Sequence, residues 1–277
     1  MDELLDPSGA PRPVAAALMS LIDRIGEDEL RERQRLAEVD ILTLGITFTV
    51  YSDGQNIDRA WPFDIVPRVI DGREWDRISL GLQQRLVALN RFIDDIYNDQ
   101  RIIADGIFPA ELLAASANYR PECRGIHPKF GVWAHISGTD LVRDDDGQMY
   151  VLEDNLRVPS GVSYVIENRG VAKRAFAELF SRQRIRPVDG YTEVLNSLLT
   201  SLAPEGCDDP QIVVLTPGVY NSAYFEHSFL AERMGAELVE GADLVVRDEH
   251  VFMKTIRGLA PVDVIYRRID DLFLDPE

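Results

Sequence analysis

Sulfur chemistry is nearly missing from this chain. Its 277 residues include two cysteines, Cys123 and Cys207, far apart and in no CxxC pair. Neither a disulfide framework nor a cysteine zinc site is therefore expected. Lysine is scarce as well: Lys129, Lys173 and Lys254 stand among 29 basic side chains, and the others are arginines. No stretch approaches the roughly 18–20 apolar residues that a membrane span needs. The start, Met1-Asp2-Glu3-Leu4-Leu5-Asp6, is acidic and lacks the basic and apolar regions of a secretory signal, so a cytoplasmic location is expected. Positive charge is in deficit overall, with a net charge of -18 and a pI near 4.6. That excludes a general nucleic-acid surface. It leaves room for a nucleotide, because metal ions and local arginines hold phosphates inside acidic proteins. There is no Gly-x-x-x-x-Gly-Lys-Ser/Thr loop, no internal repeat and no low-complexity segment. Asp144-Asp145-Asp146-Gly147 lacks the spacing and closing glutamate of an EF-hand and reads as a hairpin turn.

What the chain does have is a core. Hydrophobic residues make up 45% and charged residues 27%, enough for one long domain or two. Residues 1–13, with Pro7, Pro11 and Pro13, read as an irregular arm. Apolar periodicity predicts a helix from Val14 to Leu44, stopped by Gly45. Residues 46–51 are β-branched and aromatic and predict a strand turned by Ser52-Asp53-Gly54. Prolines 62 and 67 keep 61–68 extended. A long amphipathic helix is expected from about Glu74 to Tyr97, and a short one after Pro109. Strands are expected at 130–138, 139–143 and 148–154, the last two joined by the 144–147 turn. Helix follows over 162–180, then a linker at 186–190 and a helix at 192–202. Beyond it, strands at 211–218, 236–239, 244–246 and 262–268 and a helix from Ser222 to Met234 alternate as β-α-β. That pattern implies a small parallel, Rossmann-like layer in an α/β protein. The expected division is 1–185 and 186–277.

The chemistry gathers at Glu153-Asp154-Asn155-Leu156-Arg157. Glu153 and Asn155 are two apart on an extended segment and so share a face. Both offer oxygen to a hard cation, and magnesium takes a few such ligands beside water and phosphate. Asp140 on the partner strand is a third candidate. Arg157 has the same parity and suits a phosphate oxygen. Pro159-Ser160-Gly161 is a tight loop whose backbone N–H groups can approach an anion. A polar strand end with a solvated hairpin is the plain alternative. Elsewhere, Arg267 and Arg268 end a predicted strand, where ligands of open α/β sheets sit. One of them is expected to meet an anionic substrate, the alternative being an ion pair with Asp270 or Asp271. Asn221 and Ser222 open a helix that either favours an anion or is simply capped by Ser222. Arg68 is a candidate substrate contact, Trp61 a packing residue, and His135 and His227 are structural.

These residues also carry a resemblance. The run from Glu153 to Tyr164, followed by Glu167-Asn168-Arg169, resembles the signature of circularly permuted ATP-grasp proteins of type 2. Those proteins are related to glutathionylspermidine synthase and eukaryotic glutathione synthetase. The segments 45–51, Trp61-Pro62-Phe63-Asp64 with Pro67-Arg68, 138–144, 221–227 and 263–271 are similar to the same group. The resemblance implies an ATP-grasp fold with magnesium on Glu153, Asn155 and Asp140. It implies a ligase that uses ATP to join a carboxylate to an amine or peptide through an acylphosphate, Arg157 neutralising phosphate charge. In the family, nucleotide-gripping lysines and a lid loop follow the Arg-Arg motif, whereas this chain stops at Glu277. A truncated chain, inactive alone and lacking the lid half, is the expectation. A non-catalytic nucleotide or peptide receptor and a structural relic are the rival readings.

Overall fold

The computed structural model describes residues 2–52 and 55–274, with the backbone alone at 49–52, 55–58 and 272. The elements in chain order are α1 (Ala16–Thr43), β1 (Thr47–Ser52), β2 (Gln55–Ala60), α2 (Gly72–Tyr97), α3 (Arg101–Ala104), α4 (Ala110–Ala115), β3 (Gly138–Arg143) and β4 (Met149–Asn155). There follow α5 (Val162–Ala175), α6 (Ala177–Arg182), α7 (Tyr191–Ser201), β5 (Ile212–Leu215), α8 (Tyr224–Met234) and β6 (Glu237–Val239). The last are β7 (Leu244–Arg247), β8 (His250–Thr255), β9 (Gly258–Pro261), β10 (Val264–Arg267) and α9 (Asp271–Leu274). The expected turn at Asp53-Gly54 lies outside the described residues. Contacts divide the chain into two compact units, 70–159 and 2–69 with 160–274. The boundary expected at 185/186 falls inside the second.

In the first unit, Asp71 caps α2 by accepting from the backbone N–H of Arg73 at 2.9 Å, as an N-terminal carboxylate should. Gly138–Arg143 and Met149–Asn155 pair as an antiparallel hairpin. A bulge interrupts the register: Asp140 faces Glu153, but Leu141 faces Val151, so Leu152 is the extra residue. The strand expected at 130–138 does not form. Phe130 takes φ 62 in a short 3-10 turn, and the backbone N–H groups of Trp133 and Ala134 donate to Asn90 Oδ1 at 2.8 and 2.9 Å. A side chain of α2 thus satisfies donors that a strand would have given to a neighbour.

In the second unit, Leu21, Ala37, Ile41, Ile46, Tyr164, Val171 and Phe176 form one core. Gln34 on α1 accepts from Ile65 N–H and donates to Phe63 carbonyl oxygen, which ties down the extended proline segment. Trp61 packs flat on Tyr164, with ring centroids 3.8 Å apart. α1 is interrupted at Gly26, where φ 77 suits only glycine. The helix expected over 162–180 breaks at Phe176 into α5 and α6. A second cluster, Val213, Leu215, Val239 and Ile269, surrounds a parallel sheet of order β10-β5-β6, with β5 buried along its whole length. Strand 244–247 is not part of that layer, contrary to expectation. It belongs to an antiparallel sheet β7-β8-β9. Asp248 and Glu249 both take positive φ, the backbone of a tight hairpin turn, without the usual Asn-Gly to announce it.

Candidate functional site

The hairpin end gathers three of the expected ligands. Asp140 and Glu153 are direct cross-strand partners, and Asn155 faces Gly138. Asn155 Nδ2 donates to Glu153 Oε1 at 3.1 Å and to Asp140 Oδ2 at 3.4 Å. All three are exposed. Two carboxylates face each other, and neither has a cationic partner among the described residues. Like charges placed across a ladder destabilise it, so a divalent cation fits this corner by its donor set. Among the described residues no three His, Cys, Asp or Glu side chains converge on one point. Magnesium does not require that, since one or two carboxylates with water and phosphate suffice.

Asp154 points the other way. Its side chain is 8% exposed and accepts from Arg85 Nε on α2 at 2.6 Å and from Thr139 Oγ1 at 2.9 Å. It fastens the hairpin end to the long helix, a role that residue types alone did not reveal. Gly138 leaves the space that Pro159 uses, because a Cβ at 138 would lie 3.1 Å from Pro159 Cβ. Arg157 is exposed, its Nη1 3.5 Å from Asn118 Oδ1. Val158 takes φ 49, which is strained for a β-branched residue, immediately after it.

In the second unit the remaining candidates are differently placed. Gly161 N–H already has its anion: it donates to Glu226 Oε2 at 2.6 Å. Ser163 gives the same oxygen its N–H at 3.1 Å and its hydroxyl at 3.0 Å. Glu226 Oε1 accepts from Arg268 Nη2 at 2.8 Å, both side chains being 1% exposed. The expectation that loop 159–161 receives an outside anion is corrected at Gly161, and Arg268 is turned inward to a buried partner. Sequence reading placed Glu226 at the start of this helix and in the 221–227 run but did not foresee that it is the buried partner of Arg268. Arg267 pairs with Asp271, the alternative foreseen for it. Arg68 pairs with Glu3. Ser160 is exposed. Ser222 is exposed and does not cap α8, which begins at Tyr224; Asn221 Oδ1 instead accepts from Ala223 N–H at 2.9 Å.

Next to the Glu226–Arg268 pair, Thr216 Oγ1 accepts from Gly218 N–H at 3.2 Å and lies 2.8 Å from His227 Nδ1. Burial, and then the Arg268 charge, push His227 down to about 3. The depressed value favours the neutral ring, and its hydrogen bond with the threonine hydroxyl runs in the direction set by the tautomer.

A mixed α/β chain with a parallel β-α-β layer and an oxygen-ligand corner at a hairpin end defines a narrow class. Residues 67–277 match the profile of circularly permuted ATP-grasp type 2, and the chain belongs to that family. An uncharacterized protein of Synechocystis sp. is 51% identical over 276 residues, covering 100% of this chain and 57% of its own length. One from Mycobacterium tuberculosis is 48% identical over 275 residues, covering 99% and 49%. A protein of Frankia casuarinae named putative glutamate–cysteine ligase is 42% identical over 277 residues, covering 98% and 32%. The chain thus spans about half the length of the first two relatives. Among solved structures, a glutathione synthetase-like effector from Globodera pallida in its apo form aligns with a TM-score of 0.59 at 15% identity. The alignment covers 91% of this chain and 61% of that one, and at this identity the likeness is one of fold. Among the described residues no helix is long and apolar enough to cross a membrane.

Proposed function

We propose that this chain supplies the metal corner of a magnesium- and ATP-dependent ligase that joins a small-molecule carboxylate to an amine or peptide. The observation that carries the reading is the facing pair Asp140 and Glu153, with Asn155 beside it and no cationic partner among the described residues. Family membership and the printed name of the Frankia relative support it. Bound magnesium would offset the phosphate charge of ATP at this corner. Asp140 and Glu153 offer anionic oxygens, and Asn155 turns its amide so that Oδ1 replaces Nδ2. Arg157, exposed two residues further on, takes a phosphate oxygen. A substrate carboxylate oxygen attacks the γ-phosphorus and ADP leaves. The amine nitrogen then attacks the resulting acylphosphate, loses its proton and expels inorganic phosphate as the amide forms. No protein nucleophile is required, so positioning and electrostatics carry the rate.

The test is ADP release by the complete gene product with magnesium and pooled amino acids, polyamines and small peptides. Glu153→Gln is expected to lower turnover by about 100-fold or more while leaving the circular dichroism spectrum unchanged. Turnover near that of the wild type would remove Glu153 from the site.

A further inference from the structure

The second unit holds a cleft of about 230 Å³ among α5, α7, α8 and the residues that precede α7. Four cations line it, Arg169, Lys173, Arg174 and Arg233, against two carboxylates, Glu167 and Asp189. In a protein of net charge -18, such a local excess of positive charge is an exception. Two of the four are committed: Arg169 Nη1 donates to the Arg186 carbonyl oxygen at 2.8 Å, and Arg174 Nε to Asp40 Oδ2 at 2.7 Å. The other two are held less firmly. Lys173 has no hydrogen bond or ion pair among the described residues. Arg233 lies over the Phe229 ring at 5.2 Å and forms a loose ion pair with Glu167 at 3.6 Å, longer than a hydrogen bond. A guanidinium placed over a ring and loosely paired on one N–H still has other N–H groups for a ligand.

The cleft also contains a hydroxyl with no protein partner. Thr192 is 6% exposed and lines the cleft, and its hydroxyl has no partner among the described residues. Unlike Trp61 Nε1 and Asn168 Oδ1, which are buried without a hydrogen-bond partner among the described residues, this hydroxyl keeps an accessible surface on an otherwise buried residue that lines the cleft. Thr192 is the second residue of α7, an 11-residue helix whose N-cap, Gly190, contributes no side-chain bond. Its first-turn N–H groups add positive potential at the same place. The volume is below the roughly 300–1,000 Å³ of pockets for drug-sized ligands. The ligand is therefore small, anionic and rich in acceptor oxygens.

We propose that this cleft binds a tetrahedral oxyanion, either inorganic phosphate or the head of a phosphate monoester, through Lys173, Arg233 and the Thr192 hydroxyl. None of the magnesium corner residues line it, so it stands apart from the ligase reading.

Titration calorimetry of the full-length gene product with inorganic phosphate, and in a second arm with phosphoethanolamine, tests this in the absence of magnesium and nucleotide. Saturable binding is expected, weakened about tenfold by Lys173→Gln and by Arg233→Gln, the loss of one charged hydrogen bond each. Amide resonances of residues 190–194 should move on addition of ligand and stay still in Arg233→Gln. The Glu153→Gln protein should bind as the wild type does, which separates this site from the magnesium corner. A response in the first arm alone would identify the free ion, and in both arms a monoester-tolerant site. Absence of saturation, or affinity unchanged in both Lys173→Gln and Arg233→Gln, would overturn the proposal.

Discussion

Glu226 does four jobs with two oxygens. It neutralises Arg268, and it receives the N–H of Gly161 and both donors of Ser163. A buried carboxylate is tolerable only when it is paired and bonded to this degree. Replacing it with glutamine keeps the shape but leaves Arg268 without its counter-charge. Glu226→Gln is expected to cost about 3–5 kcal/mol in urea unfolding. The double variant Glu226→Gln with Arg268→Met should recover part of that, because an apolar side chain needs no counter-charge. A loss no larger in Glu226→Gln than in an exposed control such as Glu205→Gln would show that the pair carries no stability.

The hairpin is where sequence and structure agree most and where the details were hidden. Strand alternation sufficed to put Glu153 and Asn155 on one face, and the acidic turn sufficed to bring Asp140 opposite. The inward anchor did not emerge, because Asp154 looks like its neighbours until Arg85 and Thr139 are seen to hold it. Asp154→Ala is expected to lower stability by about 1 kcal/mol, through loss of the Thr139 hydrogen bond and of an ion pair whose arginine is 46% exposed. It should also weaken magnesium binding at the corner although Asp154 is not a ligand, and a magnesium titration followed by tryptophan fluorescence would read this. Unchanged affinity would confine Asp154 to folding. Elsewhere, long periodic helices and the β-α-β layer were legible because burial imposes their period. The segment 130–138 was not, since an apolar, aromatic run looks the same whether a ladder or Asn90 satisfies its backbone. The sheet β7-β8-β9 was half seen, because a turn of Asp248-Glu249 carries no glycine to betray it.

At the scale of the molecule, acid is the expected route to unfolding. His227 is neutral when folded, at about 3, while its unfolded value is near 6.5. Between those values the unfolded chain binds the extra proton, so stability falls as pH falls from 6.5 towards 3. The slope from this one group is at most about 1.4 kcal/mol per pH unit. Glu178 acts in the same direction lower down. Its hydrogen bond with Arg33 holds it at about 2, so its contribution is present above 4.5 and is lost as pH falls towards 2. Its side chain is 42% exposed, and solvent screens much of that contribution. Stability measured by urea between pH 6.5 and 4 should therefore decline, and His227→Asn should reduce the slope by about one proton. An unaltered slope would mean that His227 titrates normally.

Leu152 gives the hairpin something a regular strand lacks. Alternation along β4 has a phase, and this one residue resets it by half a period. On the turn side Met149 and Val151 lie inward, and on the open side it is Asp154 that does so. Strict continuation of the first phase would have sent Glu153 and Asn155 beneath the sheet and left Asp154 in solvent. The slip makes the two ends of one strand separate frames. Loss of residue 152 would make the strand regular and leave Glu153 and Asn155 on the face they already share, whereas a strand that kept all its residues but lost the bulge would exchange the ligand face for the anchor face.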